Sequence, residues 1–315
     1  MKAKDTNYNS KEKLDKNTTP SKKNDKLLVL VINELHHDFM ASQYDNCNKR
    51  MYVSEKQRWE KVFYDLAKTQ TRPLKILEIG CGTGFVSSIA KSTSGLVANY
   101  ICADISAKIL PIAKKNISLT KIGKENKVHF EFVKMRSDTF KLPTKENSVD
   151  AILFNSVLHH LPQTDEFFKE AKRALTKNGI IVAGHEPSSR YNKSLGIIMF
   201  KFIALIGRIK SGMSSQKDPM VDFVNKNLQK KGLITQNLSS NKIASMIDYK
   251  VEQGFDPFTL GANHGFKLVH ARTYNHLQNI TFNYPIFPIR ICEKILHVIE
   301  PKRGGIFFAI YKKSN

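Results

Sequence analysis

Residues 75–84, Lys-Ile-Leu-Glu-Ile-Gly-Cys-Gly-Thr-Gly, decide the fold of this chain. An apolar run passes directly into a glycine-rich turn, which predicts a buried strand, a tight turn and the start of a helix. This arrangement presents backbone N–H groups and a helix N-terminus to a ligand, and the glycines let the ligand approach closely. Asp104 follows Gly84 by 20 residues, at the end of the next predicted strand, where its carboxylate can accept hydrogen bonds from both hydroxyls of a ribose. Together they predict a nucleotide site.

Short apolar runs alternate with helical stretches from this point onward. Two of the runs, 74–79 and 149–155, are almost continuously apolar, as strands buried on both faces are. The alternation predicts an α/β protein with a doubly wound, mostly parallel seven-stranded sheet of Rossmann-like type. The other predicted strands lie at 98–103, 128–133, 179–184, 265–274 and 304–311, and the clearest helices at 106–116 and from Thr164 to Asn178-Gly179.

The rest of the chain divides into segments of different composition. Residues 1–26 have almost no apolar side chains, which predicts a disordered tail. Residues 27–73 predict a helical N-terminal segment, in which Ser54 and Gln57 form a capping box at a helix start. The remaining segments are the core at 74–186, an inserted lid or substrate-binding region at 187–264, where the alternation stops, and the last strands of the core at 265–315.

Two classes of cofactor bind at turns of this kind. A nicotinamide or flavin dinucleotide requires Gly-x-Gly-x-x-Gly, and when that pattern is counted from Gly80 the third glycine is replaced by Phe85. The pattern Glu-x-Gly-x-Gly-x-Gly is complete from Glu78 to Gly84. In this respect the chain resembles the class I S-adenosylmethionine-dependent methyltransferases, and within them the methyltransferase type 11 group that includes the quinone-biosynthesis C-methyltransferases. The resemblance covers roughly residues 40–187 and includes five motifs in order.

The resemblance implies S-adenosylmethionine as the cofactor and assigns residues to its parts. The glycine-rich turn faces the methionine part, Asp104 and Ile105 contact the ribose, and Asp138 and Thr139 contact the adenine. The Cys81 thiol is expected to be a packing group and no nucleophile, because its neighbours supply no base. The turn residues assigned to cofactor binding are Glu78, Gly80, Cys81, Gly82 and Gly84.

Candidate catalytic residues follow from the chemistry of methyl transfer. Transfer from a sulfonium is an in-line displacement, so a base is needed only where the acceptor must lose a proton, and histidine titrates nearest to neutral pH. His160 follows the fourth strand and His185 ends the fifth; both are candidates, although a histidine at such a junction can equally cap backbone groups. Asn155 would lie beside the methyl, yet it lacks the Asn-Pro-Pro-aromatic arrangement of amide- and adenine-methylating relatives. Tyr44 either closes the cofactor pocket or packs in the core.

The chain is strongly basic, with 50 Lys plus Arg against 28 Asp plus Glu and a net charge of +22. This balance predicts an acidic partner or surface and says nothing about the fold. The four cysteines lack metal-ligand spacing, so the sequence predicts no metal site and a reducing cytoplasm. The apolar stretch 195–209 is interrupted by Lys201 and Arg208 and is too short to span a bilayer.

The region beyond residue 187 is both basic and rich in apolar residues. It predicts an apolar pocket with a cationic rim for a small lipid-like, aromatic or anionic molecule, methylated on O, N or C, and it allows peripheral membrane contact. A core helix in a Lys-rich protein explains the same composition. An RNA-modifying methyltransferase and a non-catalytic S-adenosylmethionine-binding protein remain alternatives, and the oligomeric state stays open.

Overall fold

A computed structural model describes residues 22–137, 141–206, 218–277 and 287–314. Two helices come first, α1 (Lys22–Met40) and α2 (Tyr44–Thr69). The elements that follow are, in chain order, β1 (Leu74–Ile79), α3 (Phe85–Ser92), β2 (Val97–Asp104), α4 (Ile109–Leu119), β3 (Lys127–Lys134), β4 (Val149–Asn155), α5 (Thr164–Ala174), β5 (Leu175–Pro187), α6 (Leu195–Ile206), α7 (Pro219–Lys230), α8 (Ser240–Ile247), β6 (Phe266–Tyr274), α9 (Phe287–Ile299) and β7 (Ile306–Lys313). A short 3-10 helix, Leu158–His160, follows β4.

The strands form a single seven-stranded sheet in the order β3-β2-β1-β4-β5-β7-β6. Strands β1 to β5 are parallel, whereas β7 runs antiparallel to both β5 and β6. The predicted doubly wound, mostly parallel sheet is therefore confirmed. The order reverses between β1 and β4, and open α/β sheets bind ligands in the crevice beyond the carboxyl ends of the strands at such a reversal.

Strand β4 illustrates why the apolar runs fold as they do. Ala151 and Leu153 belong to the core on one face of the sheet, and Ile152 and Phe154 to the core on the other face. A strand buried on both faces needs apolar side chains at successive positions. Helix α2 covers the first face with Trp59, while α5 covers the second.

A third hydrophobic cluster joins the N-terminal helix to the region inserted after β5. Helix α1 packs against α7 and α8, and all three helices contribute fully or largely buried apolar side chains. The innermost of these side chains are Val29, Ile32, Val224, Leu228 and Ile243. The segment 187–264 is thus helical over α6 to α8, and its action as a lid stays a prediction.

Two predicted boundaries at the N-terminus are wrong. Helix α1 begins at Lys22, inside the predicted tail 1–26, and Asp25 in its first turn favours helix there through the helix dipole; residues 1–21 lie outside the described residues. Ser54 lies in the middle of α2, where its hydroxyl donates to the Met51 carbonyl at 2.9 Å. The capping box fails because the helix already begins at Tyr44.

Two further differences concern the second half of the chain. The helix that begins at Thr164 ends at Ala174, not at Asn178-Gly179, because Leu175 already pairs with Val149 of β4 and starts the long strand β5. Helix α9, between the last two strands, was not predicted. Within the described ranges, no helix is both long and apolar enough to cross a membrane.

Candidate cofactor and catalytic site

The glycine-rich turn after β1 has a backbone that only glycine adopts without strain. Gly80, Gly82 and Gly84 have φ angles of +63°, +53° and +89°. A Cβ atom on Gly80 would lie 2.5 Å from Cγ2 of Val157, and one on Gly82 would lie 3.4 Å from the Tyr44 ring. The turn is therefore bare backbone with close neighbours, and it leads directly into α3.

Asp104 is buried at the end of β2 and is bonded to the turn. Its Oδ2 accepts the Gly82 N–H at 2.9 Å and its Oδ1 accepts the Ser106 N–H at 2.8 Å. A carboxylate offers about four acceptor positions, so acceptor capacity remains for the two hydroxyls of a ribose. Burial raises the pKa of Asp104, while the His37 ring and the backbone donors act in the opposite direction.

A mainly apolar cavity adjoins the turn and Asp104. Its wall combines the ends of β1 and β2 with side chains from the two N-terminal helices. Helix α1 contributes Leu30, Asn33 and His37, and α2 contributes Tyr44. No local pattern in the sequence marks the α1 residues as part of this site, because only the packing of α1 on α7 and α8 brings them there.

Two predicted site residues, Glu78 and Cys81, have buried side chains that support the turn from below. The buried Glu78 carboxyl accepts hydrogen bonds from the Ser87 hydroxyl and, at 2.8 Å, from the Tyr100 hydroxyl. Burial raises the pKa of Glu78 to about 7. Cys81 is buried as well, and a hydrogen bond with Cys102 together with burial raises the pKa of its thiol well above the usual value. Both side chains support the turn and point to no direct contact with a ligand.

The predicted site residues fall into three groups. Those that line the cavity are Tyr44, Gly80, Asp104, Ile105 and His160. Those that do not are Glu78, Cys81, Gly82, Gly84, Asn155 and His185. Asp138 and Thr139 lie outside the described residues, although Met135 and Arg136 just before them line the cavity. The Asn155 amide oxygen instead accepts the Trp59 indole N–H at 2.9 Å, and the next residue, Ser156, lines the cavity.

Solved structures of methyltransferases align with most of the chain. Among solved structures, a putative methyltransferase of Haloferax volcanii, in complex with the Trm112 activator, aligns with a TM-score of 0.44 and 12% identity over 89% of this chain and 98% of that one. A S-adenosylmethionine-dependent methyltransferase of Methanosarcina mazei aligns with a TM-score of 0.42 and 15% identity over 79% and 97%.

Relatives in sequence include enzymes of quinone biosynthesis. A demethylmenaquinone methyltransferase of Lactobacillus johnsonii is 26% identical over 140 residues, 44% of this chain and 54% of the relative. The ubiquinone/menaquinone biosynthesis C-methyltransferase UbiE of Rhodopseudomonas palustris strain HaA2 is 23% identical over 211 residues, 62% of this chain and 77% of the relative. The sequence profile of the family described as "Methyltransferase domain" matches residues 77–183.

Residues 77–183 of the chain form a methyltransferase domain, and the chain is similar in sequence to S-adenosylmethionine-dependent methyltransferases of quinone biosynthesis. Its cofactor is S-adenosylmethionine, and the structure fits that group at two points. The turn presents backbone without side chains beside the cavity, and the Asp104 carboxylate has acceptor capacity to spare.

In this methyltransferase His160 is held by the backbone of the inserted region. Its Nδ1 lies 2.6 Å from the Ile247 carbonyl oxygen, and burial, aided by His159 and His37, holds its pKa well below the usual value. The adjacent His159 ring bonds the buried Glu186 carboxylate at 2.9 Å, and Glu186 also accepts the N–H groups of the turn after β4.

One group of described side chains has the composition of a metal site. Ligand atoms of His159, His160 and Asp248 lie within 4.8 Å of one another. The bonds of the two rings to Glu186 and to the Ile247 carbonyl explain their placement without an ion. The predicted absence of a metal stays a prediction.

His185 belongs to a second buried cluster. It has a left-handed backbone (φ +54°), and its Nδ1 bonds Oε1 of Glu55 at 3.0 Å. The same oxygen accepts the Tyr274 hydroxyl at 2.6 Å, and the Arg58 guanidinium lies 3.7 Å from the centre of the Tyr274 ring. Burial alone would raise the pKa of Glu55, but His185, Arg58 and Tyr274 together lower it. Sequence reasoning missed Glu55, Arg58 and Tyr274, because Glu55 and its partner His185 are separated by 130 residues.

Proposed function

We propose that this methyltransferase methylates a small, lipophilic aromatic acceptor of the quinone-precursor class. The observation that carries the proposal is the apolar wall beside Asp104, where Leu30, Val157, Leu161 and Phe167 offer an aromatic ring a matching surface. Two relatives support the same class, since one is a demethylmenaquinone methyltransferase and the other a ubiquinone/menaquinone biosynthesis C-methyltransferase.

The protein has three tasks in such a transfer. Bound S-adenosylmethionine supplies a methyl group on a sulfonium, and the rest of the cofactor leaves as a neutral thioether. The chain has to hold the ribose through Asp104, present the backbone of the glycine-rich turn to the cofactor, and present the acceptor in line with the methyl. An acceptor carbon or phenol must also lose a proton, so one group has to receive it.

We propose His185 as the proton acceptor; it does not line the cavity itself, but it follows Gly184, whose carbonyl accepts the N–H of the cavity residue Ser156 at 2.8 Å. Glu55 bonds Nδ1 of the ring, which leaves Nε2 as the basic nitrogen. Because its pKa is lowered, Glu55 is ionised at neutral pH and stabilises the imidazolium when the proton arrives. The strained backbone of His185 is a feature that occurs preferentially at functional sites. We do not assign this role to His160, because burial lowers its pKa well below the usual value and its Nδ1 is bonded to the Ile247 carbonyl.

Methyl-labelled S-adenosylmethionine tests the acceptor class directly. The enzyme is incubated with reduced demethylmenaquinone carrying a short side chain, and separately with total RNA. We expect label in the quinol. Label in the RNA alone would establish the RNA-modifying alternative, and binding of S-adenosylhomocysteine without any labelled product would support a non-catalytic protein.

The role of His185 is tested in the same assay. We expect His185→Asn to lower kcat by about 10²-fold or more, since general-base catalysis contributes about 10²–10⁴-fold, with the affinity for S-adenosylhomocysteine unchanged. Glu55→Gln should lower kcat in the same direction and shift the acidic limb of the pH profile, where a general base becomes protonated. His129→Asn, at an exposed position on β3, is the matched control. Equal kcat in His185→Asn and the control would rule out the base.

A further inference from the structure

Helix α9 carries a row of apolar side chains on its outer face. Ile291, Ile295, Val298 and Ile299 are between 40% and 79% exposed. At about 100° per residue they lie within an arc of roughly 100°. Single exposed apolar residues are normal on a protein surface, but four on one face of one helix are not.

The inner face of α9 fixes this orientation. Leu296 is buried, and the Glu293 carboxylate accepts the His276 N–H at 2.7 Å and the Leu277 N–H at 2.8 Å. The helix therefore cannot turn its apolar arc inward without breaking these bonds.

Helix α6 extends the exposed surface. The Leu195 N–H donates to Oε2 of Glu300 at 2.7 Å, so the start of α6 lies at the end of α9. Leu195 and Ile198 are exposed there. We call the surface formed by Leu195, Ile198, Ile291, Ile295, Val298 and Ile299 the α6–α9 face.

Cationic side chains border the α6–α9 face. Arg290 and Lys294 lie along one edge of the arc on α9, and Lys193, Lys302 and Arg303 are exposed near the junction of the two helices. A second copy of a chain with a net charge of +22 would place these cations next to other cations, which repel them. An anionic lipid surface complements them, and an apolar arc flanked by Lys and Arg is typical of helices that lie in a membrane interface.

We propose that the α6–α9 face docks the methyltransferase on an anionic lipid surface. The isoleucines and Val298 enter the boundary between headgroups and acyl chains, and the bordering Arg and Lys contact anionic headgroups. The contact is peripheral and is independent of the acceptor that the active site takes.

Vesicle sedimentation with the full chain tests the proposal. Vesicles of equal parts phosphatidylcholine and phosphatidylglycerol are compared with vesicles of phosphatidylcholine alone. We expect binding to the anionic vesicles that weakens with salt, and a loss of about tenfold or more in the variant Ile295→Glu/Val298→Glu, since each exposed apolar side chain contributes through its buried area. The control Val53→Glu/Leu119→Glu makes the same charge change at exposed positions (74% and 73%) on α2 and α4 and should bind as the wild type does.

Three results would overturn the proposal. The wild type could fail to bind anionic vesicles, or both double variants could lose binding equally, which would leave net charge as the only cause. The third is a concentration-dependent dimer that Ile295→Glu/Val298→Glu abolishes without any vesicle binding, which would assign the face to a second copy. Affinity for S-adenosylhomocysteine, measured on each variant, reports separately on the active site.

Discussion

Asp104 connects the two parts of the proposed cofactor site, because one carboxylate holds the glycine-rich turn and faces the cavity. We expect Asp104→Ala and Asp104→Asn to lower the affinity for S-adenosylhomocysteine at least tenfold, since a hydrogen bond to a charged group contributes about 1.5–3 kcal/mol. Isothermal calorimetry measures this. Asp150→Asn is the matched control. Asp150 lies near the start of β4, at the edge of the sheet opposite to Asp104, and bonds Arg72. Unchanged affinity in Asp104→Ala would refute the ribose assignment.

Glu78 gives the fold a defined pH dependence. Its pKa is about 7 in the folded protein and 4.5 in an unfolded chain, so the folded state binds the proton more tightly. The free energy of unfolding should therefore fall as pH rises from 4.5 to 7, by up to about 3 kcal/mol from this group. Glu78→Gln should remove that fall, so its stability relative to the wild type increases with pH across the window. Urea denaturation at several pH values measures it, with the exposed Glu60→Gln as control; a constant difference would contradict the account.

At the scale of the element, the turn between β1 and α3 depends on glycine for two separate reasons. Gly80 combines a positive φ with the close approach of Val157, whereas Gly95 has a φ of +72° and no neighbour within 4 Å of its Cβ position. Gly95→Ala should lose only the backbone cost, about 1 kcal/mol, and Gly80→Ala a further 1–3 kcal/mol, roughly, together with cofactor binding.

Denaturation and calorimetry on both glycine variants measure these losses. The double variant Gly80→Ala/Val157→Ala should recover part of the additional loss, because it removes the side chain that the new Cβ meets. If Gly80→Ala and Gly95→Ala are equally stable, the close packing of the turn is not what requires glycine there.

Elements that depend on local patterns were predictable, and those that depend on distant partners were not. β1 and β4 have the predicted bounds, since apolar runs buried on both faces leave a clear local signal. The start of β5 was missed because Leu175 becomes a strand only by pairing with Val149. The role of α1 was missed because its apolar face is covered by α7 and α8, almost 200 residues further along.

For the whole molecule, the sheet order explains which parts of the site can be predicted from the sequence. The turn and Asp104 end neighbouring parallel strands, so the sequence places them together without further information. The Glu55–His185 pair joins α2 to β5 and could be found only in three dimensions. The strong positive charge was evident from composition. Its position beside the α6–α9 face was not, because it depends on the contact between the start of α6 and the end of α9.

A structure of the full chain with S-adenosylhomocysteine bound tests the central claim most directly. We predict the ligand in the cavity between the turn and α1, with both ribose hydroxyls within hydrogen-bonding distance of the Asp104 carboxylate. A ligand bound elsewhere, or a ribose out of reach of Asp104, would contradict the account.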